Sequence, residues 1–211
     1  AISTSRMPAW FRIGAAAYAD EDLVAYAARD GRESPRIRAH FLRVPHDWTI
    51  HLATRYASQY PATGDAALID GLRGREAWWT GDWQGYDGDV DATLDLLVPT
   101  DFHVVRVGFL QDVKSWIWLP KELRVDVSDD GNAWRPFGTA THDVDERLEG
   151  RTIHPLEIRG DARARFVRIV AQSRGPCPDW HPGRGHKSWI FADEIEVDPA
   201  TAATNKPGIF G

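Results

Sequence analysis

The sequence predicts an all-β protein, with a β-sandwich or jelly roll as the expected architecture. The clearest strand covers residues 90–98, where an apolar residue stands at every second position from Val90 to Val98. Such alternation places one face of a strand on a core and leaves the other in water, as in antiparallel sheets. About eight short segments of this kind, separated by turn-rich stretches, span the chain, which is typical of antiparallel sandwiches.

The N-terminal part of the chain predicts a β-hairpin. Residues 23–28 and 35–44 form its two arms, and Asp30 and Gly31 supply the turn. Asp-Gly is a strong hairpin signal, and the second arm alternates apolar with polar residues. A short helix over the alanine-rich residues 15–28 is the alternative. Because an isolated hairpin is only marginally stable, this one must dock on the rest of the chain or on a partner.

After a boundary at Pro45-His46-Asp47, further strands are predicted. They cover residues 48–53, 90–98, 104–110, 123–127, 153–158, 165–171 and 190–197. A turn signal at 129–132 predicts a hairpin, and the polar residues 139–151 predict an exposed connection. In the last strand Asp193 and Glu194 are neighbours, so we expect them on opposite faces, where they cannot serve as a catalytic acid and base.

Two aromatic loops interrupt the strand pattern. The chain has ten tryptophans against one methionine and one cysteine, and the loops at 78–86 and 175–189 hold many of them. Pro176, Pro178 and Pro182 exclude a helix in the second loop and lack the N–H that a central strand needs. Large aromatic side chains on ordered loops beside a sheet indicate a binding surface.

Composition excludes several classes of function. A net charge of −6 and a pI near 5.7 argue against a nucleic-acid partner, which needs a basic face. No apolar run approaches the ~20 residues that a membrane-spanning helix needs. No nucleophile elbow, phosphate loop or His-Glu-x-x-His zinc motif occurs, so the sequence predicts no enzyme.

Several spaced motifs carry a family resemblance. The first is Ala-Leu-Ile-Asp-Gly-Leu-Arg-Gly at 67–74, followed by Trp-Gln-Gly-Tyr at 83–86. The others are Phe-Leu-Gln-Asp at 109–112, Cys-Pro-Asp-Trp-His-Pro-Gly at 177–183 and Trp-Ile-Phe-Ala-Asp-Glu-Ile at 189–195. Together they resemble the coagulation factor V/VIII type C (discoidin-like) domain found at the C-terminus of many bacterial family 20 glycoside hydrolases. That domain is related to the family 32 carbohydrate-binding modules.

The resemblance implies a domain organisation. It implies a discoidin-like jelly-roll β-sandwich over 46–198, preceded by a partial β-unit over 1–45 and followed by a polar tail over 199–211. The hairpin in the first part resembles the end of the small β-sandwich that precedes this domain in those hydrolases. The catalytic barrel of those hydrolases is longer than this whole chain, so we expect no catalytic domain in it.

The resemblance also implies a function, with two alternatives. The expected function is a non-catalytic module that binds glycans outside the cytoplasm, in the periplasm, at the cell surface or as a secreted protein. The first alternative is a structural or adhesion subunit that docks proteins in a larger extracytoplasmic or membrane-associated assembly. The second is a fragment of a family 20 hexosaminidase.

Aromatic and polar residues of the two loops form the predicted ligand site. Because a sugar ring has an apolar C–H face, it packs on an indole while neighbouring polar groups take its hydroxyls. The predicted ligand-binding residues are Trp79, Trp83, Gln84, Tyr86, Trp118, Trp180, His181, His186 and Lys187. At least half of the tryptophans are expected to be core or loop-bracing residues. Trp79, Trp118 and Trp180 are predicted to be the exposed ones.

A structural calcium ion is the cofactor that the resemblance implies. Related domains hold a cation between the aspartate of the Ile-Asp-Gly motif and a glutamate on the last strand. The matching ligands are Asp70 and Glu194, completed by backbone carbonyls near Ala67 and Asp193, and such oxygen ligands suit calcium. Leu72 departs from the pattern, since related modules often have a polar ligand there. Otherwise, Asp70 accepts hydrogen bonds from the N–H groups of its own turn.

A zinc site is a weaker alternative. Cys177, His181 and His186 lie close together in the second aromatic loop. Their spacing is irregular and provides one thiolate, which favours a buried cysteine and hydrogen-bonding histidines instead.

Overall fold

The computed structural model describes residues 21–26, 28–29, 32–41, 44 and 46–199. The chain divides into two units, Ala1–Pro45 and His46–Gly211. Among the described residues the regular elements are β-strands and three short 3-10 turns, which confirms the predicted all-β class. No helix in this part of the chain is long and apolar enough to cross a membrane.

The first unit contains an antiparallel pair of strands. Strand β1 (Glu21–Ala25) pairs with β4 (Ile37–Phe41), and the short strands β2 (Ala28–Arg29) and β3 (Arg32–Glu33) pair between them. This nested pairing is that of the predicted hairpin, whose Asp-Gly turn lies outside the described residues. The alternative helix over 15–28 is wrong where the structure describes the chain, because residues 21–25 are extended.

The second unit is built from seven antiparallel strands. They are β5 (Thr49–Leu52), β6 (Gln84–Tyr86), β7 (Val90–Asp112), β8 (Glu122–Ser128), β9 (Arg135–Ala140), β10 (Arg151–Gln172) and β11 (Ile190–Val197). Hydrogen bonding connects them in the order β6-β11-β7-β10-β8-β9, with β5 paired to β7. The predicted hairpin at 129–132 joins β8 to β9.

Strands β7 and β10 each belong to both layers of the sandwich. Residues 90–95 of β7 pair with 166–171 of β10, and residues 100–112 pair with 151–164. The first pair is extended by β5 and β8, and the second by β11. Register shifts between Arg159 and Phe166 mark the bend between the layers. The sequence predicted two separate strands in each case, because β-bulges let pairing continue through a bend that interrupts the alternation.

The core lies between these two layers. It combines apolar side chains from both halves of the long strands and from β8, which include Leu94, Leu96, Phe102, Val105, Val107, Phe109, Leu123, Val125, Leu156, Ile158, Val167 and Ile169. These residues occupy the alternate positions that the sequence pattern assigned to the inner face. Their burial removes apolar surface from water, which is the dominant favourable term in folding.

The outer face of the first layer carries paired charges. Both Arg165 Nε and Nη2 donate to the Asp95 carboxylate at 2.8 Å, and Arg168 makes an equivalent two-point contact with Asp91. Two parallel hydrogen bonds make such pairs stronger and more directional than single contacts. The arginine beside Asp95 holds the pKa of that carboxyl below its ordinary value.

Strand β11 departs from the predicted alternation. Its first six residues are all buried, including Asp193 and Glu194. A register shift between Ala192 and Ile195 disturbs the regular pleat, and the loop after Asp70 covers the outer side. Backbone N–H groups of Gly71 and Gly74 in that loop donate to Glu194 and Asp193 respectively. The two carboxylates therefore face one loop, and the expectation of opposite faces is wrong.

Candidate ligand-binding site

Four loops meet at one end of the sandwich. Strand β7 ends at 112 opposite the start of β10 at 151, and β8 begins at 122 opposite the end of β10 at 172. The loops 113–121, 141–150 and 173–189 therefore leave the sheets at the same end. The loop 72–83 joins them through a 3.1 Å hydrogen bond from Trp78 Nε1 to Asp112 Oδ2. We call these four segments the loop end.

Trp79 is the most exposed aromatic side chain of the loop end. It is 60% exposed, which confirms its predicted exposure. A 3-10 turn over Trp78–Thr80 holds its backbone, and Gly81 closes the turn with a φ of 87°. The Trp78 ring meets it edge-on at 5.7 Å, and the Arg151 guanidinium lies 4.8 Å from its centroid. The indole is therefore fixed in position while most of its surface is in solvent.

Trp180 is the second exposed indole of the loop end. It is 36% exposed, as predicted. Its Nε1 donates to Glu146 Oε1 at 3.2 Å, and the Arg147 guanidinium lies 4.9 Å from its centroid. Trp180 is oriented by a hydrogen bond and an arginine, as Trp79 is by a ring contact and an arginine. Because both indoles are already held in place, binding a ligand costs them little rotamer freedom.

Trp118 is buried, and the prediction that it is exposed is wrong. Its side chain is 2% exposed, and its Nε1 donates to the Glu146 carbonyl at 3.0 Å. The Trp180 ring packs against it edge-on at 6.5 Å, and the Arg174 guanidinium lies 5.0 Å from its centroid. These neighbours belong to two other loops, 141–150 and 173–189, so the sequence around Trp118 does not indicate that it is buried.

Trp83, Gln84 and Tyr86 are also buried, so their side chains do not reach the surface. Trp83 is 1% exposed, and its Nε1 donates to the Arg75 carbonyl at 2.8 Å. Gln84 Nε2 donates to the Gly64 carbonyl, and the Tyr86 hydroxyl donates to Gln84 Oε1 at 2.7 Å. The motif Trp-Gln-Gly-Tyr thus supports the core and the loops above it. These three residues are not part of the exposed surface that we consider for a ligand.

His181 braces the loop from inside. It is buried, its Nε2 donates to the Val113 carbonyl at 2.9 Å, and its Nδ1 accepts from the Gly183 N–H at 3.0 Å. This pattern fits the neutral imidazole that carries its proton on Nε2. Cys177 is buried nearby, and burial raises the pKa of its thiol. Among the described residues no cluster of three or more His, Cys, Asp or Glu side chains is arranged to hold a metal ion.

His186 and Lys187 lie at the surface of the same loop. The His186 ring stacks on Trp116 with centroids 5.5 Å apart. Lys187 Nζ pairs with Asp87 Oδ2 at 2.7 Å, and both side chains are largely exposed. These contacts tie the loop to its neighbours and leave both side chains accessible to a ligand.

The residues predicted for calcium come together on the loop that covers β11. Ala67 lies in a buried 3-10 turn that ends at Asp70. The Asp70 carboxylate accepts hydrogen bonds from the Leu72 N–H at 2.9 Å and from the Thr63 hydroxyl. Glu194 is 4% exposed and accepts from the Gly71 N–H at 3.1 Å. Burial, with the Asp70 carboxylate as the next cause, raises the pKa of Glu194 to about 8.

Asp193 has a different environment from Glu194. Its side chain is fully buried and accepts from the Gly74 N–H at 2.8 Å and from the Glu194 N–H at 2.6 Å. Arg73 lies 3.7 Å from Asp193 Oδ1 and also pairs with Glu196. Burial raises the pKa of Asp193 in spite of these donors. The Asp193 side chain thus braces the 71–74 loop, which leaves its backbone carbonyl as the group predicted for calcium.

Sequence reasoning missed the charged residues that frame the exposed indoles. Arg147 and Arg151 lie over Trp180 and Trp79, and Glu146 binds Trp180 and Arg174. Of these charged residues, Glu146, Arg147 and Arg151 fall in the polar stretch 139–151, which was predicted as an exposed connection. Their charge alternation is visible in the sequence, but their aromatic partners come from distant segments.

The fold and the loop end define a class of protein, a non-catalytic binding module in which loops on a rigid β-sandwich present aromatic and charged side chains. The particular family follows from sequence comparison. The F5/8 type C domain family matches residues 51–191, and the chain belongs to that family. Domains of this family are binding modules without catalytic activity. The predicted resemblance is therefore confirmed, while the link to family 20 hydrolases stays a prediction.

Solved structures similar to the chain come from bacterial glycoside hydrolases. CpGH89CBM32-5 from Clostridium perfringens, in complex with GalNAc-β-1,3-galactose, shares 15% identity at a TM-score of 0.44, covering 71% of this chain and 94% of that chain. CBM32-3 from a family 31 glycoside hydrolase of the same organism shares 15% identity at 0.44, covering 70% and 86%. A Ruminococcus gnavus GH29 fucosidase in complex with fucose shares 14% identity at 0.44, covering 76% and 26%. No curated protein sequence matches the chain.

Proposed function

We propose that the protein is a carbohydrate-binding module that acts outside the cytoplasm and binds glycans at its loop end. The observation that carries this proposal is the state of Trp79, whose indole is 60% exposed yet fixed between Trp78 and Arg151. An exposed aromatic ring that is held rigid loses little conformational entropy when a ligand covers it. Its apolar surface suits the C–H face of a sugar ring.

Polar groups beside Trp79 supply directional contacts. Arg75 forms a two-point pair with Asp82 at 2.8 and 3.3 Å, and Thr80 donates to the same carboxylate at 2.7 Å. Arg75, Thr80 and Asp82 lie in the same loop as Trp79, and Arg151 lies over its ring. A flat apolar surface bordered by a few fixed donors and acceptors is the usual composition of a sugar site. Trp180, with Arg147 and Glu146, offers a second contact of the same kind.

Glycan binding by matched tryptophan variants tests the proposal. We expect wild-type protein to bind a subset of glycans on an array, and Trp79→Ala to weaken the best of them by about 2 kcal/mol, or roughly thirtyfold, as is typical for a central aromatic contact. Trp134→Ala is the control, because Trp134 lies beyond the 129–132 turn at the opposite end of β8. Absence of binding to every glycan, or equal loss in both variants, would contradict the proposal.

Protein docking is a second candidate function, favoured by a different surface. Leu97 and Val98 are 44% and 62% exposed at the bend of β7, and Leu97 has a φ of 69°. Exposed apolar patches mark protein contact sites, and this bend supplies two adjacent exposed apolar side chains. Co-purification of a defined partner that is lost in Leu97→Ser/Val98→Ser, together with no glycan binding, would favour this candidate over the first.

We also propose that the module holds a structural calcium ion at the Asp70 and Glu194 carboxylates. The residues fit a divalent cation in charge, because Glu194 is buried beside the Asp70 carboxylate, and burial and this neighbouring carboxylate raise its pKa. Two carboxylates supply only part of the six to eight oxygen ligands of calcium. Carbonyl groups near Ala67 and Asp193 would complete the shell, and the ion would tie the 67–71 segment to β11.

Thermal unfolding with and without calcium tests this second proposal. Calcium at a hundredfold excess over Kd should stabilise the fold by about 2.7 kcal/mol. For a chain of this size that corresponds to about 5–10 °C in Tm relative to a chelator-treated sample. Glu194→Gln should abolish the shift, whereas Glu196→Gln, which removes an acid paired with Arg73 and Arg106, should keep it. Identical wild-type midpoints in calcium and in chelator would rule the site out.

A further inference from the structure

A cavity of about 200 Å³ opens at the loop end, next to Trp180. Its lining includes Trp118, Leu119, Lys121, His142, Glu146 and Arg174. Trp118 and Leu119 form an apolar wall, and the other four side chains carry ionisable groups. A small cavity with one apolar wall and several converging polar groups has the composition of a ligand site.

Arg174 is held in the cavity wall by several contacts. Its guanidinium lies 5.0 Å from the Trp118 centroid, and its nitrogens donate to Glu146 Oε2 at 2.9 Å and to the Pro176 carbonyl at 3.0 Å. Its side chain is only 16% exposed. A guanidinium has five N–H donors, so these two bonds leave donors free for a ligand.

The charge of the cavity is positive on balance. Glu146 pairs with Arg174 through one carboxylate oxygen and accepts from Trp180 Nε1 with the other, so the Arg174–Glu146 pair is neutral as a unit. Lys121 lines the cavity and is exposed, and it has no ion-pair partner among the described residues. An anionic group that enters the cavity therefore meets one uncompensated ammonium and the free edge of a guanidinium.

His142 leaves a polar atom unused in the same wall. Its Nδ1 is buried and has no hydrogen-bond partner within the described part of the chain, although the backbone of Pro120 and Val144 lies near the ring. Burial, followed by the neighbouring His154 ring, holds the pKa of His142 below its ordinary value. A buried polar atom without a partner is costly, so a rotation of the ring that brings Nδ1 to a ligand hydroxyl would be favourable.

We propose that this cavity binds a single pyranose unit that carries a carboxylate, the chemistry of a uronic acid residue in a glycan. A volume of about 200 Å³ is below the roughly 300–1,000 Å³ of sites for drug-sized ligands and admits one small unit. Lys121 and Arg174 bind the carboxylate, His142 bonds a ring hydroxyl, and the apolar wall packs on C–H groups. This inference rests on the proposed carbohydrate-binding function and assigns it an acidic ligand class.

Titrations of the full chain with D-glucuronate, D-glucose and acetate, followed by two-dimensional amide NMR, test the inference. We expect glucuronate to shift the signals of Lys121, His142 and the Gln111 side chain with saturation, and to bind at least tenfold more tightly than either glucose or acetate. Lys121→Met should weaken glucuronate by roughly tenfold, the typical loss of one hydrogen bond to a charged group. Lys114→Met, at an exposed lysine that pairs with Glu149, should leave binding unchanged.

His142→Phe separates a binding role from a structural one. Because Nδ1 has no partner, the fold should retain its thermal midpoint while glucuronate binding weakens. The inference would be overturned if glucose or acetate bound as tightly as glucuronate. It would also be overturned if Lys121→Met bound glucuronate with the affinity of the wild type. Trp79→Ala, which lies outside the cavity, reports separately on the proposed function. If Trp79→Ala loses glycan binding and still binds glucuronate, both the glycan site at Trp79 and the acidic-sugar cavity are supported. If glucuronate binds and Trp79→Ala has no effect on glycan binding, only the cavity site is supported.

Discussion

Trp83→Ala should destabilise the second unit severely, although Trp83 is an aromatic residue of a loop that was predicted to bind sugar. Its indole is 1% exposed and packs in a small cluster with Leu110, Ile117 and Phe191. A tryptophan side chain buries about 200 Å², which at ~25 cal/mol per Å² corresponds to about 5 kcal/mol. Measured truncations of large core aromatics cost about 3–5 kcal/mol. The Arg75 carbonyl would also lose its donor.

We therefore expect a loss of about 4 kcal/mol, or roughly 8–16 °C in Tm. Urea unfolding followed by far-UV circular dichroism gives the free energy of unfolding of each variant. Trp79→Ala is the matched control and should stay within about 1 kcal/mol of wild type, because most of its side chain is already in water.

A second variant tests the same packing from the opposite side. A Cβ at Gly74 would overlap the indole of Trp83, so Gly74→Ala must displace the ring or the loop. Overpacking of this kind costs about 1–3 kcal/mol. If Trp83→Ala lies within about 1 kcal/mol of wild type, or if Trp79→Ala costs as much, the assignment of Trp83 to the core and Trp79 to the surface is refuted.

Three further predictions concern groups that the structure engages fully. Gly108→Ala should cost about 1–3 kcal/mol in urea unfolding, because a Cβ there would overlap Asp193 Oδ1; a neutral result would mean that the buried carboxylate has room to move. His181→Phe should cost about 2 kcal/mol, since it leaves the Val113 carbonyl and the Gly183 N–H without partners, and unchanged stability would contradict the bracing role. Asp95→Asn should cost about 1 kcal/mol at pH 7, since the side chains of Arg165 and Asp95 are both partly exposed to solvent. The pKa of Asp95 is lowered on folding, so its stabilisation is fully present above the unfolded pKa of ~3.9 and is lost as pH falls through the lower folded-state pKa. An Asp95→Asn penalty that is as large in acid as at pH 7 would argue against the pair.

The loop end shows where sequence reasoning stopped. The indoles of Trp79, Trp118 and Trp180 were all predicted to be exposed, and only Trp118 is buried. Its cover consists of Trp180 and Arg174 from the loop 173–189 and the Glu146 carbonyl from the loop 141–150. Burial of a loop residue depends on segments that are distant in sequence, and no local pattern encodes their approach.

The long strands illustrate the same limit in the sheet. Alternation identified the inner residues of β7 and β10 correctly, because the pleat sends successive side chains to opposite faces wherever one face is wet. It failed at the bends of these strands, where bulges interrupt the period, and in β11, where the 71–74 loop covers the second face. The period of two reports a difference between faces, and it carries no information once both faces are buried.

The sequence by itself determined the all-β class, the position of the strands and the membership of a binding family, since these depend on local periodicity and on spaced motifs. Only the tertiary structure decided which aromatic residues are available to a ligand and which charges accompany them. Asp70 and Glu194 come together from positions more than a hundred residues apart, as do Trp118 and the cavity groups around it from several loops. Such neighbourhoods arise from packing of the two layers and from the loops at their end, which no single segment specifies.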